Sequence, residues 1–84
     1  MNYSIVFTKR ARRELDKLSK DAYFRIAVAI DSLAANPRPV GCKKLQDRDG
    51  YRIRVGEYRI IYDIDDIIKI VSVEHVGHRK DIYR

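Results

Sequence analysis

The spacing of apolar positions changes twice along this chain, and each change predicts a new kind of element. Tyr3 to Phe7 is a short β-prone run and predicts a first strand. Thr8 offers a side-chain oxygen to cap a helix beginning at Lys9, where Ala11, Leu15 and Leu18 recur at i, i+4, i+7 on one helical face. Lys9, Arg10, Arg12, Arg13 and Lys17 fall largely off that stripe, so the helix is amphipathic with a basic back. Ser19 is a second N-cap, and Tyr23, Ile26, Ile30 and Leu33 then repeat at helical spacing, with Ala27, Ala29 and Ala34 between them. This second helix is expected to run to about Ala35 and to stop before Asn36-Pro37-Arg38-Pro39, because a residue preceding proline is pushed out of the helical region.

Gly41 to Gly50 reads as a polar connection carrying Lys43, Lys44 and Arg48, and from Tyr51 the period becomes alternating. Gly56-Glu57 fits a hairpin turn with glycine first, which sets a register: Val55 opposite Tyr58, Arg54 opposite Arg59, Ile53 opposite Ile60, Arg52 opposite Ile61. Asp65-Asp66 marks the next turn. Ile67 to Val73 is nearly all apolar and predicts a covered strand, and Glu74 to Arg84 reads as a polar end. The expected order is βααβββ: an α+β fold in which a helical hairpin packs on one face of a small antiparallel sheet. Residues 1–84 are expected to form one domain.

Composition narrows the class. Eighteen Lys and Arg against 12 Asp and Glu leave a net charge of +6, and the basic residues cluster: six between Lys9 and Lys20, seven between Arg38 and Arg59, three in the last six positions. Such clustering favours a polyanionic partner, either nucleic acid or an acidic protein. Cys42 is the only cysteine, so no internal disulfide forms, and an incidental thiol is the expected reading. No signal peptide or membrane-length apolar run is present, so a cytoplasmic location is expected. The residues call for no metal and no cofactor.

The candidate chemistry lies on the hairpin. Tyr51, Ile53, Val55, Tyr58, Ile60 and Tyr62 make one face, suited to lie under the helices, while Arg52, Arg54 and Arg59 share the other and are expected to face water. Like charges directly opposite on a sheet destabilise it. Pairing with Asp63 or Glu57 on a solvated face would account for them without function. Alternatively they form a phosphate pocket, since the arginine fork binds phosphate oxygens bidentately and keeps its charge. His78-Arg79-Lys80-Asp81-Ile82-Tyr83-Arg84 adds cations around an aromatic ring on which an unstacked base could lie.

Together these residues carry a resemblance. Tyr51 to Tyr62, followed by Val76-Gly77-His78-Arg79 and a closing Tyr83, is similar to the C-terminal half of RelE-type toxins, and Tyr3–Phe7, Thr8-Lys9-Arg10-Ala11 and Leu33…Pro37 fit the same RelE/ParE superfamily. The resemblance spans the chain. It implies a ribonuclease that enters the ribosomal A site and cuts messenger RNA without a metal, the ribose 2′-hydroxyl attacking the adjacent phosphate to leave a 2′,3′-cyclic phosphate. On that reading Arg52, Arg54, Arg59 and Arg79 are the catalytic and phosphate-holding residues, and Tyr83 orients the RNA and assists proton transfer; Lys9, Arg10, Arg12, Arg13, Lys17, Lys43 and Lys44 are the candidate contacts to RNA or ribosome. Family members can carry lysines where Arg52 and Arg54 stand here. Arginine is a poor proton acceptor, which leaves the general base unassigned, with His78 as the candidate.

The resemblance also implies a cognate antitoxin whose acidic or amphipathic segment wraps the toxin. The free toxin is then expected to be monomeric and the complex a hetero-oligomer. Two rival readings stay open: a ParE-like inhibitor of DNA gyrase, and a nucleic-acid-binding module without chemistry.

Overall fold

In the computed structural model, which describes residues 2–78, the two caps come first. Thr8 Oγ1 accepts from the Ala11 N–H and Ser19 Oγ from the Ala22 N–H, at 3.1 and 3.2 Å. They open helices α1 (Lys9–Asp16) and α2 (Lys20–Ser32), preceded by strand β1 (Ser4–Phe7). The chain then turns through residues 33–35, short of Pro37, as expected. The remaining strands are β2 (Lys43–Lys44), β3 (Tyr51–Val55), β4 (Tyr58–Asp65) and β5 (Ile70–His78).

The class is α+β, as predicted, but the sheet has five strands in the order β1-β5-β4-β3-β2 and is mixed. β1 runs parallel to β5, Ser4 beside Ile70 and Phe7 beside Val73, so the expectation of a purely antiparallel sheet is corrected. β2, two residues that read as loop, forms an extra edge strand on β3. The hairpin register is the predicted one at every pair. Gly56 adopts φ +59° at the first turn position, where a side chain would be strained and glycine is not.

Two further boundaries move. Ile67 and Ile68 lie in a turn and are exposed instead of opening the last strand. The cause is local: Asp65 Oδ1 accepts from the backbone N–H of both residues, and Lys69 takes a left-handed φ of 59°. The strand instead continues to His78, through residues expected to be a polar end. A bulge at Glu74 makes this possible. Ile61 faces His75 while Tyr62 faces Val73, leaving Glu74 as the extra residue.

Ala11 and Leu15 of α1, Ile26 and Ile30 of α2, Leu33 just beyond it, and Ile53, Ile60, Tyr62, Val71, Val73 and Val76 form one core. Tyr23, assigned to the buried stripe, is instead 37% exposed, and Ala22 takes the buried place one residue earlier. The fully buried Tyr62 donates its hydroxyl to the Pro37 carbonyl at 2.7 Å, which satisfies the polar atom that burial would otherwise strand. Burial, with Cys42 beside it, raises the pKa of that hydroxyl, so it stays a donor. No helix among the described residues is long and apolar enough to cross a membrane.

Candidate functional site

Strand pairing arranges the sheet face away from the helices in rows, because directly opposite residues point the same way. One row runs Lys43 of β2, Arg52 of β3, Ile61 of β4, His75 of β5. The next runs Arg54, Arg59, Gly77. Strands lie about 4.8 Å apart, so Lys43, Arg52, Arg54, Arg59 and His75 occupy one patch roughly three strand spacings wide.

The members differ in depth. Arg54 is exposed and Arg52 half-buried, while Arg59 keeps only 5% of its surface in contact with solvent. The expectation that all three arginines face water is therefore corrected for Arg59. It sits on β4, the middle of the five strands, between Arg54 of β3 and Gly77 of β5. A charge below the surface acts through a lower effective dielectric than one in water, so Arg59 raises the positive potential of the patch without being its contact surface.

The other predicted residues are distributed as follows. His78 pairs with Tyr58 and meets its ring edge-on at 5.7 Å, on the helix side of the sheet and not with the arginines. Lys44 also falls on that side, 5.7 Å from the Tyr51 ring centre. Lys9, Arg12 and Arg13 line a cavity of about 460 Å³ with Phe7 and Thr8, where the Arg12 guanidinium lies 4.6 Å from the Phe7 ring centre. Lys17 caps α1 and is exposed. Arg79 and Tyr83 lie outside the described residues.

One cluster escaped the sequence reading. Where β1 ends beside β5, α1 takes its place, and the Glu14 carboxylate fills the role of a strand neighbour by accepting the Val76 backbone N–H at 2.8 Å. The same carboxylate holds His75 Nδ1, at 2.7 Å to Oε2 and 2.8 Å to Oε1. Arg10, one turn earlier, reaches His75 Nε2 at 3.2 Å and Glu14 Oε2 at 3.3 Å. Burial alone would raise the Glu14 pKa, but the Val76 N–H, His75 and Arg10 outweigh it and the net shift is downward. The signal in the sequence was the valine spacing: Val71 to Val73 is two residues, Val73 to Val76 is three. That step marks a bulge and turns His75 to the arginine side. Among the described residues, no three His, Cys, Asp or Glu side chains converge to hold a metal ion.

At the other margin of the patch, a groove of about 570 Å³ opens along the outer edge of β3, walled by Ala29, Ser32, Val40, Lys43, Arg52 and Arg54 among others. The small β2 covers β3 only as far as Arg52, so the edge from Ile53 onward borders this groove.

Comparison with known proteins bears on the whole chain. Residues 5–83 match the family model described as the ParE toxin of the type II toxin–antitoxin system parDE. Toxin RelG of Mycobacterium tuberculosis is 37% identical over 86 residues, which cover 100% of this chain and 99% of that protein. Among solved structures, a chain of the M. tuberculosis toxin–antitoxin complex RelBE2 superposes with a TM-score of 0.83 at 30% identity, covering 94% of this chain and 100% of its own. The archaeal RelE–RelB complex of Pyrococcus horikoshii gives 0.83 at 29% identity, covering 94% and 97%.

Proposed function

This chain belongs to the ParE toxin family of type II toxin–antitoxin systems, within the RelE/ParE superfamily, and from that premise we propose that it is a metal-independent endoribonuclease cutting messenger RNA in the ribosomal A site. The observation that carries this reading is the cross-strand set of cations on one sheet face, with Arg54 directly opposite Arg59 and Arg52 directly opposite Lys43. A face selected for stability alone would not set like charges against each other. For a phosphodiester the same arrangement is preorganised: exposed Arg54 and half-buried Arg52 grip phosphate oxygens, and the field of buried Arg59 stabilises the extra negative charge of a pentacoordinate phosphorus.

In this reading the 2′-hydroxyl of the preceding ribose attacks the phosphate, giving a 2′,3′-cyclic phosphate and a free 5′-hydroxyl. Arg79 and Tyr83 take the phosphate-holding and RNA-orienting roles that the family resemblance implies. His78, turned toward Tyr58, takes no part in the step. Lys9, Arg12, Arg13 and Lys17 carry α1 against ribosomal RNA. The protein works in the cytoplasm. Both structural relatives above are toxin–antitoxin complexes, which supports a cognate antitoxin for this chain too. An acidic or amphipathic segment would find complementary charge along the groove beside Lys43, Arg52 and Arg54, giving a hetero-oligomer from a monomeric toxin.

Induction in cells with mapping of RNA and DNA ends tests the reading. The unsubstituted protein is expected to arrest growth and leave cyclic-phosphate ends within ribosome-bound codons. Arg54→Ala is expected to slow cleavage by about 10²-fold or more, as for loss of one transition-state donor. DNA breaks with intact messages would replace this reading with gyrase inhibition. Salt-sensitive RNA binding with no cyclic phosphate would replace it with a binding module.

A further inference from the structure

The arginines that mark the cation patch leave its chemistry one element short, since a guanidinium holds charge but does not accept a proton under ordinary conditions. A 2′-hydroxyl must lose a proton as it attacks. We propose that His75, held by Glu14 at the end of the Lys43–Arg52–Ile61 row, is the general base of this site, a step that rests on the ribonuclease reading above.

The hydrogen bonds around the ring fit one of its tautomers. Arginine only donates, so the contact from Arg10 Nη2 makes His75 Nε2 an acceptor, a nitrogen with its lone pair available. Glu14, whose pKa is lowered, is an acceptor-only carboxylate, so the proton sits on Nδ1 and is donated to it. Both contacts are satisfied by a single neutral tautomer, the form a general base requires, with the carboxylate behind it ready to stabilise the imidazolium that results.

Placement matches the chemistry. His75 shares the cross-strand row of Arg52 and stands diagonally across from Arg59, whose direct partner is Gly77. Diagonal neighbours on a sheet face are about 7–8 Å apart, which one ribose and its phosphate can bridge. Between Arg52 and His75 the row offers only Ile61, which adds no competing charge. Arg10 gives the base a gate. Its side chain is 66% exposed, and a phosphate would draw it from the ring, because a charge-assisted fork to phosphate outweighs a single bond to neutral imidazole. Nε2 is then uncovered beside a bound phosphate.

The proton from the 2′-hydroxyl passes to His75 Nε2 as the O2′–P bond forms. The P–O5′ bond breaks, the departing 5′-oxygen takes a proton from water, and the imidazolium returns its own proton to the hydroxide left behind. Among the described residues, the charged and titratable groups around His75 are Arg10 and Glu14 from α1, Glu74 beside it on β5 with its ion-pair partner Arg48, and Arg59 and Asp63 diagonally placed on β4.

Single-turnover cleavage of a synthetic message on programmed ribosomes, followed from pH 5 to 9, tests the assignment. His75→Gln is expected to lower the rate by about 10²–10⁴-fold and to abolish the acid limb of the pH profile. Ribosome binding and the thermal melt serve to show that the variant is folded. Glu14→Gln, which keeps an oxygen for the Val76 N–H, is expected to cost a smaller factor and to move the limb to lower pH. A His75→Gln variant that binds ribosomes and retains the acid limb overturns the proposal, as does loss of that limb in His78→Gln instead. If the unsubstituted protein makes no cyclic phosphate at all, the ribonuclease reading falls and takes this assignment with it. Cleavage by the wild type with an unchanged His75→Gln profile removes His75 alone.

Discussion

The two faces of this one sheet obey the same alternation and solve opposite problems. On the helix side, Ile53, Ile60, Tyr62, Val71, Val73 and Val76 exclude water against α1 and α2, and every member is nearly or fully buried. On the other side the same three strands raise Arg52, Arg54, Arg59 and His75, with Lys43 added by β2. Burial holds the first face together, whereas the second keeps like charges close at a cost in stability. The contrast separates what keeps the chain folded from what the folded chain presents to a polyanion.

The largest effect should come from cutting into the helix-side face. Ile60→Ala is expected to cost about 2–5 kcal/mol, because Ile60 is fully buried and the cavity cannot collapse between two helices and a sheet. Urea or thermal unfolding should show a midpoint lowered by about 10 °C or more in a domain this small. A shift within about 1 °C would mean that the helix side is not where the stability resides.

A smaller effect of opposite sign is expected on the arginine face. Arg54→Ala removes an exposed charge placed directly opposite Arg59, so stability should rise by a few tenths to about 1 kcal/mol, most visibly at low salt, even as cleavage falls. Equilibrium unfolding at two salt concentrations measures it. Destabilisation by Arg54→Ala would show that the cations support the sheet instead of burdening it.

The smallest effect concerns neither face but the network at the β4–β5 turn. Arg38 and the Tyr3 hydroxyl bind Asp66, at 2.9 and 2.6 Å, and lower its pKa to about 2. A depressed carboxylate contributes stability that is present above its unfolded value, near 3.8, and lost as pH falls through about 2. Asp66→Asn should therefore lower the neutral midpoint slightly, as for loss of an exposed ion pair, and flatten that part of the acid-unfolding curve. An acid curve identical to that of the parent protein would rule out Asp66 as a contributor.

The local features were legible in the residues. Thr8 and Ser19 cap the helices because the capping bond spans only three residues. The β3–β4 register follows from Gly56-Glu57 and alternation, so the opposition of Arg54 to Arg59 could be read in advance. The family resemblance, which spans the chain and is most specific from Tyr51 to Tyr83, agrees with the match over residues 5–83. His75 was overlooked because a polar run after Val73 looks like a chain end unless the three-residue valine step is recognised as a bulge.

By itself, then, the order of residues determined the two helices, the β3–β4 hairpin and its register, and the segregation of apolar from cationic side chains on that hairpin, since each depends on neighbours within a few positions. Tertiary structure alone decided the rest: the β2 edge strand that sets Lys43 beside Arg52, β1 parallel to β5, the extent of β5, the burial of Arg59, and Glu14 against His75 across a separation of 61 residues. Pairings over such distances are set by which sheet edge remains open and which volume remains unfilled, and those quantities exist only once the whole chain has closed on itself.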